Sequence, residues 1–218
     1  MTIVSEHFSE TLRLASEPTW SQATGHRFVA ELFTGSISDT VMASYLIQDH
    51  RFLDSFLTLL GAAMATADSY AARLRFGRFA GMISGDEDTY FLRSFEALGV
   101  DERARTETPD TEPTAGFKAI MREAAATRSY AAALAVLNVA EWLYLDWATK
   151  APTPLPARFV HAEWITLHDN PEFRDFVGFL RSELDRVGPS EADVARDFFL
   201  RTVKLELAFF DAVYEGEG

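Results

Sequence analysis

The chain has 218 residues, 48% of them hydrophobic and 13% aromatic, which suits one domain or at most two small ones, supplies a packed core and argues against a disordered chain. Its net charge of −13, from 20 Lys+Arg against 33 Asp+Glu, repels phosphate backbones and anionic headgroups, so neither nucleic acid nor a membrane surface is an expected partner. Cysteine is absent, which removes disulfides, thiolate metal sites and a cysteine nucleophile together.

The first segment, "MTIVSEHFSETLRLA", carries acids and His7 where a secretory signal needs a basic end and an apolar stretch. No uncharged apolar run reaches the roughly 18 residues of a spanning helix. A cytoplasmic protein is expected. Ser5 is a candidate N-cap for a first helix with Phe8, Leu12 and Ala15 on one face. A second helix is expected through "WSQATGHRFVAELFTG", stopping at Gly35, and a long third over 38–67. "AARLRFGRFAGMIS" reads as a fourth helix ending at Gly85. "DEDTYFLRSFEALG" reads as a fifth, opened by acids that suit the helix dipole and closed by Gly99. The polar stretch 99–113 reads as a loop, followed by a helix over about 114–127 and an apolar helix from Ser129 to about Lys150. "APTPLP" is a break. A short helix follows in "ARFVHAEWITLH", then one capped by Asn170 with Pro171 at its first position. The closing helix has Ser190 and Asp193 at capping-box spacing. No segment alternates with period two, so the expected fold class is all-α, a compact multi-helix bundle.

Amphipathic helices keep carboxylates on their wet side. Three helices here break that rule. Asp49 falls in the stripe of Met42, Tyr45, Leu46, Phe52 and Phe56. Glu141 falls in the stripe of Leu134, Leu137, Tyr144 and Ala148, and Glu206 in that of Phe199, Val203, Phe209 and Val213. Each acid precedes an aromatic by three residues, which puts the pair on the same side of its helix. If the three faces converge, they form an aromatic-walled small-molecule site whose buried carboxyls have raised pKa values suited to acid–base work. The bland alternative for any one acid is an edge position or a nearby guanidinium, with Arg51 and Arg201 as candidates.

Other chemistry is poorly supported. A di-iron bundle needs Glu-x-x-His pairs, and none of the five histidines follows a Glu at that spacing. His161 and His168, seven apart, could share a side of one short helix, but they lack patterned carboxylate partners. No metal site is expected. Phosphate-cradling glycine loops and the G-x-S-x-G elbow are also missing.

"HRFVAELFTGSISDTVMASYLIQDHRFLDSF" resembles the N-terminal signature of the TenA/thiaminase II family. "AEWLY" at 140–144, "EWITLHDNPEF" and "KLELAFFDAVY" resemble later segments of that family, in order and at fitting spacing. The resemblance implies a single all-helical domain over residues 1–218, with a heme-oxygenase-like fold and without heme or another cofactor. It implies hydrolysis of an amino- or formylaminomethyl-pyrimidine from thiamin breakdown, and a homo-oligomer, dimer or tetramer. It places Asp49 at the acid that holds the pyrimidine amino group and Glu206 at the acid that contacts the ring and assists proton transfer. Tyr144 matches a site tyrosine, Phe209 the aromatic beside Glu206, and Phe117 a stacking position. Phe52 and His168 stand where many members have Tyr. The nucleophilic Cys of one branch aligns with Ala140, and Glu141 is the candidate replacement of a Cys-less branch. One residue along a helix is a rotation of about 100°, so Glu141 cannot occupy the thiol's position. Loss of the Cys argues against cleavage of thiamin itself. The alternative function is a non-enzymatic binder of a small heteroaromatic ligand on the same fold.

Overall fold

The computed structural model describes residues 7–215, the Asp86 side chain excepted. These residues form α1 (Phe8–Ala15), α2 (Thr19–Thr24), α3 (Arg27–Thr34), α4 (Asp39–Thr66), α5 (Tyr70–Met82), α6 (Asp88–Ala97), α7 (Glu102–Glu107), α8 (Glu112–Thr127), α9 (Tyr130–Ala148), α10 (Phe159–Leu167), α11 (Pro171–Val187) and α12 (Ala192–Ala212). A π-helical turn, Ile83–Glu87, joins α5 to α6, and a 3-10 turn, Gly188–Glu191, leads into α12. No strand occurs among the described residues.

Helix α9 is the centre of the bundle. All of it is buried except Ala140, Leu145 and Asp146, as expected of a helix apolar around its whole circumference. It packs against α2, α4, α8, α11 and α12. Ser129 caps it, its Oγ accepting from the Ala132 amide at 3.0 Å. Asn138, the neutral polar residue in this apolar run, is a cross-brace. Its amide nitrogen donates to the Leu134 carbonyl at 2.8 Å and to the Leu180 carbonyl of α11 at 3.0 Å. Asn138→Ala leaves the Leu180 carbonyl short of a donor in a dry interior. Chemical denaturation should report a loss of about 2–4 kcal/mol.

Several sequence expectations need correction. The helix expected through Gly35 is two helices. The chain breaks at Gly25, and His26 caps α3, its Nδ1 accepting from the Phe28 amide at 3.0 Å. Gly85 ends nothing: the π-helical turn carries the chain through it into α6. The stretch read as a loop over 99–113 contains α7, capped by Asp101 and burying none of its residues. Ser190 does not cap α12. Its hydroxyl donates back to the Val187 carbonyl at 2.7 Å, because the 3-10 turn intervenes. Ser5 lies outside the described residues, and α1 begins after His7. Asn170 and Pro171 start α11 as expected, with Asn170 Oδ1 accepting from the Phe173 amide at 2.9 Å.

Candidate active site

Helix α4 brings two adjacent polar residues to different tasks. Gln48 points at the segment before α8. Its side chain donates to the Pro109 carbonyl at 2.9 Å and accepts from the Thr111 amide at 3.1 Å. Arg51 ties the same segment down through the Arg105 carbonyl at 2.5 Å and Asp110 at 3.1 Å. Asp49, one position from Gln48 and so turned about 100° from it, faces an interior cleft instead.

That cleft encloses about 460 Å³, its open mouth included. It collects side chains from five helices and from the π-helical turn. Helix α4 supplies Asp49 and Phe52, α8 supplies Phe117, α9 supplies Glu141 and Tyr144, and α12 supplies Glu206. Trp164 of α10 and His168 at its C-terminus complete the aromatic wall. Seven of the eight residues singled out from sequence therefore border one space. Phe209 does not. It stands behind the wall, its ring 5.6 Å from Phe52, 5.8 Å from Phe117 and 5.5 Å from Tyr45, centroid to centroid. It props up the rings that face the cleft.

Asp49, Glu141 and Glu206 are 4%, 7% and 3% exposed, and none has a hydrogen-bond or ion-pair partner among the described residues. The guanidinium explanation fails for both candidates. Arg51 is occupied as above, and Arg201 forks onto Glu123 at 2.5 and 2.9 Å and reaches Asp197 at 2.9 Å. The cleft contains no Lys or Arg. Burial pushes all three carboxyls well above the ordinary carboxylate range. Mutual repulsion adds to it: Glu87 acts on Asp49, Glu87 and Asp49 act on Glu141, and Asp49 and Glu141 act on Glu206.

Glu87 is the acid that sequence reasoning missed. It ends the π-helical turn and lines the cleft beside the other three. Burial, then neighbouring Asp88, pushes its carboxyl up to about 7. Flanked by Asp86 and Asp88, it reads in the sequence as one of several solvated charges opening a helix.

The remaining polar groups have fixed roles. Tyr144 and Tyr45 share a hydrogen bond of 2.7 Å, and burial raises the pKa of both. His168 Nδ1 lies 2.8 Å from the Trp164 carbonyl, an acceptor only, so Nδ1 carries the proton and Nε2 is a lone-pair acceptor. Burial holds its pKa down to about 4 despite that bond. His161 is fully buried away from the cleft, so the two histidines share no site. No cluster of three or more metal-ligating side chains occurs among the described residues.

A sequence profile of the TENA/THI-4/PQQC family matches residues 14–216. The chain belongs to that family. A curated relative, the aminopyrimidine aminohydrolase of Bacillus subtilis (strain 168), is 24% identical, covering 97% of this chain and 91% of its own. Among solved structures, the TenA homologue protein from P. horikoshii OT3 superposes with a TM-score of 0.86 at 22% identity, covering 96% of this chain and 99% of that one. The TenA homologue from Pyrococcus furiosus gives 0.83 at 22%, covering 95% and 100%. These likenesses carry the fold, the all-α heme-oxygenase-like arrangement of TenA structures. No helix of the described residues is long and apolar enough to cross a membrane.

Proposed function

We propose that this TenA-family protein hydrolyses an amino- or formylaminomethyl-pyrimidine of thiamin breakdown, with buried carboxyls working where another branch of the family uses a thiol. One observation carries the reading: four carboxyls without a cation or a cysteine line a single aromatic cleft. The name of the Bacillus subtilis relative supports the substrate class.

The flat ring suits the faces of Phe52, Phe117 and Tyr144. Asp49 accepts from the ring amino group. Hydrolysis then needs one carboxylate to take a proton from water and one acid to manage the proton of the departing nitrogen. Water's oxygen bonds to carbon as the C–N bond breaks, and the electron pair leaves on nitrogen. Glu141 and Glu206 are the pair assigned to these tasks. Burial and mutual repulsion raise both pKa values, so ionising one disfavours ionising the other, which suits a division into one base and one acid. His168, neutral and fixed by Trp164, offers Nε2 as a further acceptor.

The test is turnover by the purified protein. The amine substrate should give the hydroxymethyl product and ammonia, and the formyl derivative should give formate. Binding of both with no product over many hours would replace the hydrolase with the ligand-binding alternative.

A further inference from the structure

A second hollow lies against the first. It encloses about 500 Å³, its open side included, and is lined in part by Phe79, Met82, Asn170, Glu172 and Phe173. Two residues belong to both spaces: Glu87 and His168. One carboxyl and one imidazole therefore stand between the cleft and the outer hollow, bordering both. The outer hollow in turn shares Phe79, Met82 and Glu172 with a surface groove beside Arg75 and Arg78, so the three spaces adjoin one another.

The two wall residues differ in what they can do with a proton. The imidazole donates Nδ1–H to a backbone carbonyl and stays neutral at ordinary pH. The carboxyl has no hydrogen-bond or ion-pair partner among the described residues. On the cleft side, Glu87 is the neighbour that acts first on Asp49 of α4 and, after burial, first on Glu141 of α9. Towards the outer hollow stand Glu172 of α11 and His168 at the end of α10. On its own helical run stands Asp88, 3.5 Å from His50 of α4. The local backbone is what aims it. A π-helical turn adds one residue to the helical repeat, and without it Glu87 would swing by about 100° off the wall.

Hydrolysis leaves the base carboxyl holding a proton taken from water and the acid carboxyl stripped of the proton it gave to nitrogen. Both must be reset, by exchange with each other or with solvent, before the next turnover. We propose that Glu87 is the proton gate of the site, a positioning acid that passes protons between the inner carboxyls and the outer hollow without touching the reacting carbon. Its pKa near 7 keeps both protonation states populated at neutral pH.

The kinetic part of this proposal rests on the hydrolytic reading; the titration part does not. Glu87→Gln should lower kcat at pH 7 about tenfold to a hundredfold, with KM changed less than twofold, and should erase the limb of the kcat profile near pH 7. Small weak acids that reach the outer hollow, such as acetate, should restore part of the rate, and Glu87→Asp should restore most of it. A kcat profile for Glu87→Gln that superposes on the wild type overturns the gate. The second readout is the melting temperature against pH, which needs no substrate. The wild type should lose stability as pH rises towards about 7, and Glu87→Gln should make that loss smaller by the share Glu87 contributes, the other three acids supplying the rest. An unchanged curve shows that Glu87 does not titrate there and also overturns the gate. A wild type that turns over no pyrimidine defeats the hydrolase reading, while the melting curve still decides whether Glu87 titrates at the wall.

Discussion

Replacing Glu141 with Gln should all but abolish turnover while making the protein more stable. The two effects have one cause. Glu141 is a buried carboxyl bordering an aromatic cleft, beside other acids and without a cation. Such a group is costly to bury charged. Its presence in a helix otherwise suited to a core is a sign that function, not stability, maintains it. The amide keeps the shape and cannot ionise. Loss of a working acid or base costs about 10²–10⁴ in kcat. Relief of the buried charge should add about 1–2 kcal/mol at pH 8 and almost nothing at pH 5, where the native carboxyl is already protonated. Glu206→Gln should behave alike. Steady-state rates with both pyrimidines and denaturation at the two pH values decide it. Full activity in both variants sinks the assignment. Activity lost together with stability would mark Glu141 as structural.

The second large effect concerns pH. Most proteins with partnered carboxylates lose stability on acidification. This one should be most stable under mildly acid conditions. Asp49, Glu87, Glu141 and Glu206 all have native pKa values above their ordinary ones. Between the ordinary carboxylate values, 3.8 for Asp and 4.5 for Glu, and the raised native ones, the native state holds more protons than the unfolded chain. Stability is then complete below the unfolded values and falls as pH rises through the native ones, by up to about 1.4 kcal/mol per pH unit for each acid in transition. Opposing acids act lower down. Asp110, held by Lys118 and Arg51, Glu123, held by Arg201, and Glu31, held by Arg27 and Tyr214, have depressed values despite some burial. Their contribution is present above the ordinary carboxylate range and disappears as pH falls through the depressed values. The optimum thus lies just above the ordinary carboxylate range. The melting temperature should be several degrees higher at pH 5.5 than at pH 8. A curve that is flat or rises over that interval contradicts the burial of ionisable acid in the cleft.

Three of the four acids were legible from sequence because each interrupts a stripe with helical period. Asp49, Glu141 and Glu206 sit where the periodicity demands apolar residues, and tertiary packing brings the stripes together. Glu87 had no such signal. It lies between two other acids and after a glycine, and a π-helical turn has no sequence periodicity that betrays it. Phe209 shows the limit of the spacing argument. Three residues of helix advance about 300°, which leaves an offset of about 60°. That is enough to bring Glu206 to the cleft and leave Phe209 behind the wall. The break at Gly25 was hidden for a different reason. The apolar pattern continues across it, and only His26 acting as a cap marks the new helix. Residues 102–107 read as a loop because α7 buries nothing, so no apolar stripe announces it.

The central position of α9 has a consequence for heat and hydrogen exchange. Its amides are shielded on every side, so they should open only when the whole molecule does. Glu141 and Tyr144 ride on that helix, which makes the floor of the cleft as durable as the protein itself. The wall with Glu87 hangs on a single irregular turn, and amides there should exchange far sooner. The site then joins a floor that holds its shape until global unfolding to a rim that can breathe within each catalytic cycle.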